Sequence, residues 1–239
     1  MTDNKESQKR EKDFSYSSGE RQTATDIHGI RPDHSSRYEM AEAILHNNIK
    51  NIHRPLVGLD VFCGNGYGSW LLSKTLNAFV TGIDGSNEAI QMADAHYSTG
   101  KTLFSQKFFP FELPSSSFDF ITCFESIEHV KDPKAMFETL ADALRGGGLL
   151  FVSTPNEDAL PFSVNAAWFQ FHVQHFNQND IAELTKSRPA MTHAARFGQN
   201  VYRTDASKRV LGVDNALDMR PTKEWENAQF IIHVFTKKP

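Results

Sequence analysis

At 239 residues the chain is about one and a half times an ordinary domain, which favours one elaborated domain over two full ones. Its 25 Lys and Arg against 29 Asp and Glu give a formal net charge of −4, and no long basic run occurs, which excludes a sequence-independent grip on nucleic acid. With 39% hydrophobic and 23% charged residues, and only Cys63 and Cys123, both in apolar runs, wholesale disorder and a disulfide scaffold are excluded as well.

Residues 1–18 are rich in Ser, Lys, Glu and Asp with Phe14 and Tyr16 as the only anchors, a composition that predicts a mobile polar tail before a folded domain over 19–239. No apolar stretch follows MTDNKESQKREKD, and no window approaches the roughly 20 apolar residues of a spanning helix. A soluble, cytoplasmic protein without a signal peptide is therefore expected. From 35 to 50, Tyr38, Ala41, Ile44, Leu45 and Ile49 recur at helical spacing, with Ser35 and Ser36 as cap candidates.

An alternation of apolar runs and helical segments follows. LVGLDVF (56–62) reads as a strand ending in glycines, and SWLLSKTL (69–76) as its helix. AFVTGID (78–84) is a second strand, after which Ser86 caps the helix NEAIQMADAHYS. TLFS (102–105) and FDFITCF (118–124) are the third and fourth strands, and a helix is predicted over 133–144. Gly146, Gly147 and Gly148 break that helix before LLFVST (149–154), the fifth strand.

Such strands, without period-2 alternation and separated by helices, indicate a doubly wound α/β sheet covered on both faces. Beyond Pro155 lie an aromatic and histidine-rich segment (162–176), a short helix opened by Asp180, the run MTHAARFGQN and a stretch from 203 to 227 that reads mostly as loop. The chain then ends in the apolar run AQFIIHVFTKK.

The chemistry is concentrated at Asp60-Val61-Phe62-Cys63-Gly64-Asn65-Gly66-Tyr67-Gly68. Glycines at a strand-to-helix turn let backbone amides approach a nucleotide-like ligand. The dinucleotide fingerprint asks for a third glycine where this chain has Ser69, and Asp60 just before the turn disfavours a pyrophosphate and favours a cationic group. A second carboxylate, Asp84, ends the next strand about 20 residues after the glycines, where a ribose is held in such folds.

The succession D-x-x-x-G-x-G-x-G, the strand-end acid, SFDFITCFESIEHV and LRGGGLLFVSTPN resembles the class I S-adenosylmethionine-dependent methyltransferases, from about Glu20 to the C-terminus. GERQ, HSSRY, STPN and FHVQHF are similar to segments of bacterial small-molecule and surface-glycan members, and FESIEHV to the quinone O-methyltransferases. The resemblance implies a Rossmann-like, mostly parallel seven-stranded sheet, with MTHAARF as sixth strand and FIIHVFT as an antiparallel last one. It implies S-adenosyl-L-methionine as cofactor and S-adenosyl-L-homocysteine as product.

On that resemblance Asp60, Gly64, Asn65 and Gly66 hold the methionine end, Asp84 holds the ribose, and Phe124 and Glu125 form the floor beneath the sulfonium. Tyr38, with His34 and Arg37, covers the methionine carboxylate. Three departures stand out. Lys107 occupies the place of the usual adenine-binding Asp, leaving that contact to backbone groups or to neighbours such as Gln106 and Phe108. Arg145-Gly146-Gly147-Gly148 replaces Lys-Pro-Gly-Gly, and His175 stands where the acid of a Phe-His-x-x-Glu segment is usual.

The expected reaction is methyl transfer to a hydroxyl of a small-molecule or glycan acceptor. The alternative is an accessory protein that binds the cofactor without turnover. A helical segment after strand four would put Glu125 and His129 on one face, with Glu128 pointing elsewhere, and make His129 the base. His172 and His175 are further base candidates. No carboxylate or cysteine lies near that pair at ligand spacing, so no metal site is expected. Phe124-Glu125-Ser126-Ile127 stands where base-methylating enzymes of DNA carry Asn/Asp-Pro-Pro-aromatic, so nucleic acid is not an expected partner.

Overall fold

The structure is a computed structural model that describes residues 22–48 and 52–239. The tail expected over 1–18 and the helix positions Ile49 and Lys50 lie outside the described residues. Seven strands form one sheet in the order β3-β2-β1-β4-β5-β9-β6. They are β1 (Val57–Val61), β2 (Phe79–Asp84), β3 (Thr102–Gln106), β4 (Phe118–Phe124), β5 (Leu144–Pro155), β6 (Met191–Gln199) and β9 (Phe230–Lys237). β1 pairs in parallel with β2 and β4, as do β2 with β3 and β4 with β5. β9 runs antiparallel between β5 and β6, as expected for the last strand.

β4 is buried along its whole length, which is why its sequence shows no alternation. One face of the sheet packs against α4 (Pro133–Ala143) through Met136, Phe137 and Leu140, and against the later helix 178–186 through Ile181 and Leu184. The other face is covered by α1 (Pro32–Asn48), α2 (Tyr67–Leu76) and α3 (Asn87–Tyr97), through Ala41, Leu45, Leu72, Ile90 and Ala93. The strand order reverses between β1 and β4, so their carboxyl ends, Val61 and Phe124, open a crevice where doubly wound sheets bind ligands.

Several local expectations are corrected. α1 begins at Pro32, a residue suited to a helix start because its missing N–H has no intrahelical partner there. Ser35 and Ser36 therefore lie inside the helix, and the Ser36 hydroxyl donates to the Met219 carbonyl (3.3 Å). Gly146–148 do not precede β5 but belong to it. The strand starts at Leu144, and the ladder with β4 shifts register between Phe118 and Phe120 to absorb them.

After β4 there is one turn of 3-10 helix, Ile127–His129, rather than a helical segment. Beyond the four-residue α5 (Phe162–Asn165), α6 (Gln178–Lys186) opens at Gln178. Asn177 caps it, and Asp180 reciprocates by accepting from the Asn177 amide. The expected loop of 203–227 contains all but the first residue of a short hairpin, β7 (Tyr202–Thr204) with β8 (Val210–Val213). Among the described residues no helix is long and apolar enough to cross a membrane.

Candidate functional site

The loop between β1 and α2 is shaped by its glycines. Gly66 has φ 85°, and a Cβ there would stand 2.7 Å from Ala93 and from the Phe104 ring, so the turn requires glycine. Gly68 is the seat of Tyr38: a Cβ at Gly68 would fall 2.1 Å from that ring. Phe62 holds φ 55°, an uncommon conformation for a bulky side chain and one that turns the chain sharply out of β1.

A cavity of about 820 Å³ opens at these strand ends. It is lined by Phe62, Cys63, Gly64, Asn65, Tyr38, Tyr67 and Phe124 and by His129 with residues 167–173. Glu125 and Arg37 line it as well. Tyr38 meets Tyr67 and Phe124 edge-on at centroid distances of 5.2 and 5.0 Å, forming an aromatic wall.

Asp60 stands behind that wall and is fully buried. Its oxygens accept from the hydroxyls of Tyr38 (3.0 and 3.2 Å), Ser69 (2.7 Å) and Thr122 (2.7 Å). Burial pushes its carboxyl up to about 6 against the downward pull of those three donors. Ser69, the residue that breaks the dinucleotide pattern, thus serves as a donor to Asp60. Asp84 is also fully buried, and its two oxygens accept from the amides of Gly64 (2.9 Å) and Ser86 (2.8 Å). Neither aspartate lines the cavity directly.

Asn65 is held by donation from its side-chain amide to the Ala24 carbonyl (2.7 Å), which ties the segment before α1 over the loop. At the end of β3 the Lys107 amide donates to the Asp84 carbonyl (2.8 Å), and the Gln106 side chain donates to the Gly85 carbonyl (2.9 Å). Phe108 is half-buried and lies outside the cavity lining.

Glu125, at φ 48°, accepts from the Ser153 hydroxyl (2.7 Å), and its carboxyl lies 3.8 Å from Arg37 Nη1. Burial raises its carboxyl and Arg37 opposes that rise. Arg37 is itself buried, donates to the Gln199 side chain (2.7 Å) and stacks over Phe230 at 5.1 Å.

The histidines are organised by carbonyls. Leu160 O can only accept, so His175 Nδ1 carries the proton and donates to it (2.6 Å). His175 Nε2 then accepts from His172 Nδ1 (3.0 Å), which leaves His172 Nε2 as the lone-pair nitrogen. His129 Nδ1 likewise donates to Phe171 O (2.9 Å), and the His129 and His172 rings meet edge-on at 4.6 Å. Burial holds His172 down to about 2 and His175 to about 4, so both are neutral near pH 7.

His175 lies outside the cavity lining and bears on it through His172. Glu128 does not point away, as a helical segment would require. The 3-10 turn swings it inward, fully buried, beside His129 and His172, so the expectation that no carboxylate stands near the histidine cluster does not hold. Sequence spacing carries no signal for this, because Glu128 and His172 meet only through the return of the chain after β5. Trp168, Tyr202 and Gln199 are further site residues with no motif around them.

Residues 33–189 match the model of a family described as a methyltransferase domain. A ubiquinone biosynthesis O-methyltransferase of Coxiella burnetii is 33% identical over 133 residues, covering 54% of this chain and 56% of that protein. One from Colwellia psychrerythraea is 39% identical over 103 residues, 41% of this chain and 42% of that one. The chain thus matches about half the length of these curated relatives. An S-adenosylmethionine-dependent methyltransferase structure from Mesorhizobium loti superposes with TM-score 0.63 at 17% identity, over 87% of this chain and 100% of that one, a likeness of fold.

Proposed function

Since the chain belongs to the methyltransferase-domain family, we propose that it transfers the methyl group of S-adenosylmethionine to a hydroxyl of a small molecule. The observation that carries the reading is one cavity lined by two chemically different groups of residues. The β1 loop and an aromatic wall backed by a buried carboxylate form one group; imidazoles with fixed tautomers form the other.

The residues present suit this cofactor. Gly64 has φ 57° and nothing within 4 Å of its Cβ position, so the loop backbone is open to a ligand there. The faces of Tyr38, Tyr67 and Phe124, with Asp60 behind them, favour a cation and offer no grip on a pyrophosphate. Gly64, Asn65 and Gly66 would hold the methionine end and Phe124 the floor beneath the sulfonium; Asp84, buried with its oxygens on the Gly64 and Ser86 amides, would serve the ribose through the loop it holds. When bound, the cofactor supplies an electrophilic methyl on a positively charged sulfur.

The chain's own work is mainly alignment. Holding acceptor oxygen, methyl carbon and sulfur in line removes an entropic cost of up to roughly 7–11 kcal/mol. His129 acts on the acceptor proton, and Trp168 and Phe169 help exclude water there. The curated relatives named above are O-methyltransferases of ubiquinone biosynthesis, which supports a hydroxyl as acceptor. Incubation of the protein with methyl-labelled cofactor and a panel of phenols, alcohols and sugars tests the reading. Label transferred to an oxygen is expected; label transferred only to nitrogen or to nothing contradicts it.

A further inference from the structure

We propose that Glu128, His129 and His172 form a binding site for a first-row divalent transition ion at the cavity. One donor atom from each of the three residues lies within 4.8 Å of the others. An ion with bonds of roughly 2.0–2.2 Å draws its ligands to within about 4.4 Å of one another, so small side-chain rotations close the site.

Three independent features prepare these groups as ligands. First, both imidazoles are oriented by outer partners, Phe171 O for His129 and the His175–Leu160 O pair for His172. In each case Nδ1 is the protonated nitrogen and Nε2 carries the lone pair, an arrangement found around metal-bound histidines. Second, the His172 ring is held at the site by packing, edge-on to His129 at 4.6 Å and stacked on Phe169 at 4.7 Å.

Third, Glu128 is fully buried, and its oxygens have no side-chain donor and no well-aligned hydrogen bond, only the nearby backbone amides of Ser126 and Glu128 itself. A buried carboxyl in that state is costly, and the cost is removed when a cation completes it. Glu125 lies close enough to add a second negative field. Two imidazoles that line the cavity, with one carboxylate buried beside them, leave coordination positions open to an exogenous oxygen and suit Mn²⁺, Fe²⁺ or Zn²⁺ better than Ca²⁺.

The ion's role in catalysis rests on the methyl-transfer reading; its binding does not. An acceptor hydroxyl that coordinates it loses its proton more easily, and the proton passes to water. The oxygen lone pair then attacks the methyl carbon. As the C–O bond forms, the C–S bond breaks and its electron pair returns to sulfur, which becomes a neutral thioether. With the ion bound His129 assists this deprotonation as its ligand; without the ion it takes the proton directly.

Titration of the chelator-stripped, full-length chain with Mn²⁺, followed by the electron paramagnetic resonance of free ion, tests the site. One ion per chain is expected, weakened at least ~10-fold in Glu128→Gln and in His172→Ala, with binding of S-adenosylhomocysteine retained in both variants. The two positions lie in separate segments, so misfolding of one variant leaves the other readable. Mn²⁺ binding that is absent, or unchanged in both variants, overturns the site. Methyl transfer unaffected by chelator, with His129→Ala still inactive, overturns its catalytic role. Stoichiometric Mn²⁺ binding that both variants weaken, in a chain with no affinity for S-adenosylhomocysteine, establishes the site and removes the methyl-transfer reading instead.

Discussion

The Tyr38 hydroxyl donates to both oxygens of Asp60, at 3.0 and 3.2 Å, across the gap between α1 and β1. This contact fixes the aromatic wall of the cavity to the floor of the sheet. Tyr38→Phe keeps the ring and removes one of three hydroxyl donors from a fully buried carboxyl. A loss of about 1–3 kcal/mol in stability is expected, measured by urea denaturation, with weaker binding of S-adenosylhomocysteine.

Gly68→Ala separates helix propensity from packing. In an unconstrained helix the change stabilises by about 0.5–1 kcal/mol. Here the added methyl would stand 2.1 Å from the Tyr38 ring, so the ring must leave Asp60. A net destabilisation of about 1–3 kcal/mol and lost cofactor affinity are expected, read by thermal melting and calorimetry.

The two residues also give the protein a pH signature. The Asp60 carboxyl, raised to about 6 from an ordinary 3.8, binds a proton more tightly in the folded state than in the unfolded one. Its contribution to stability is therefore full below the unfolded value and is lost as pH rises through about 6. The buried neutral histidines act oppositely: His172 and His175 lose stability as pH falls below the unfolded 6.5. The clean quantity is the difference between the wild type and Asp60→Asn in urea denaturation. That difference is expected to move in favour of the wild type as pH falls from 7 to 5; a flat difference would contradict the assignment.

His129 lines the cavity and is anchored to the Phe171 carbonyl. His129→Ala is expected to slow methyl transfer by roughly 10²–10⁴-fold, the span of acid–base assistance, while calorimetry shows S-adenosylhomocysteine bound as in the wild type. Equal losses in both would make it a structural residue.

The parts of this molecule written in local pattern were legible in its sequence. The apolar runs gave β1 to β4 within a residue or so; β1 and β4, buried on both faces, need no tertiary context to be recognised. Ser86 capped its helix as expected. The β1 loop was legible because its glycines and its aspartate are consecutive.

What escaped was set by tertiary contact. The glycines before Leu149 read as a break, yet pairing with β4 draws them into β5. The β7–β8 hairpin is short and mostly exposed, with too little apolar pattern to mark it. The inward turn of Glu128 follows from a single 3-10 turn after Glu125, whose left-handed backbone no residue type announced. Tyr38 was read as a cover for the ligand, but its bond to Asp60 depends on how α1 crosses the sheet.

Isothermal titration of the full-length chain with S-adenosylhomocysteine and, separately, with NAD decides whether the crevice between β1 and β4 seats a sulfonium nucleoside. One molecule of S-adenosylhomocysteine per chain, weakened at least ~10-fold in Asp84→Ala, and no heat from NAD is the expected outcome. Saturable binding of NAD with none of S-adenosylhomocysteine would contradict it.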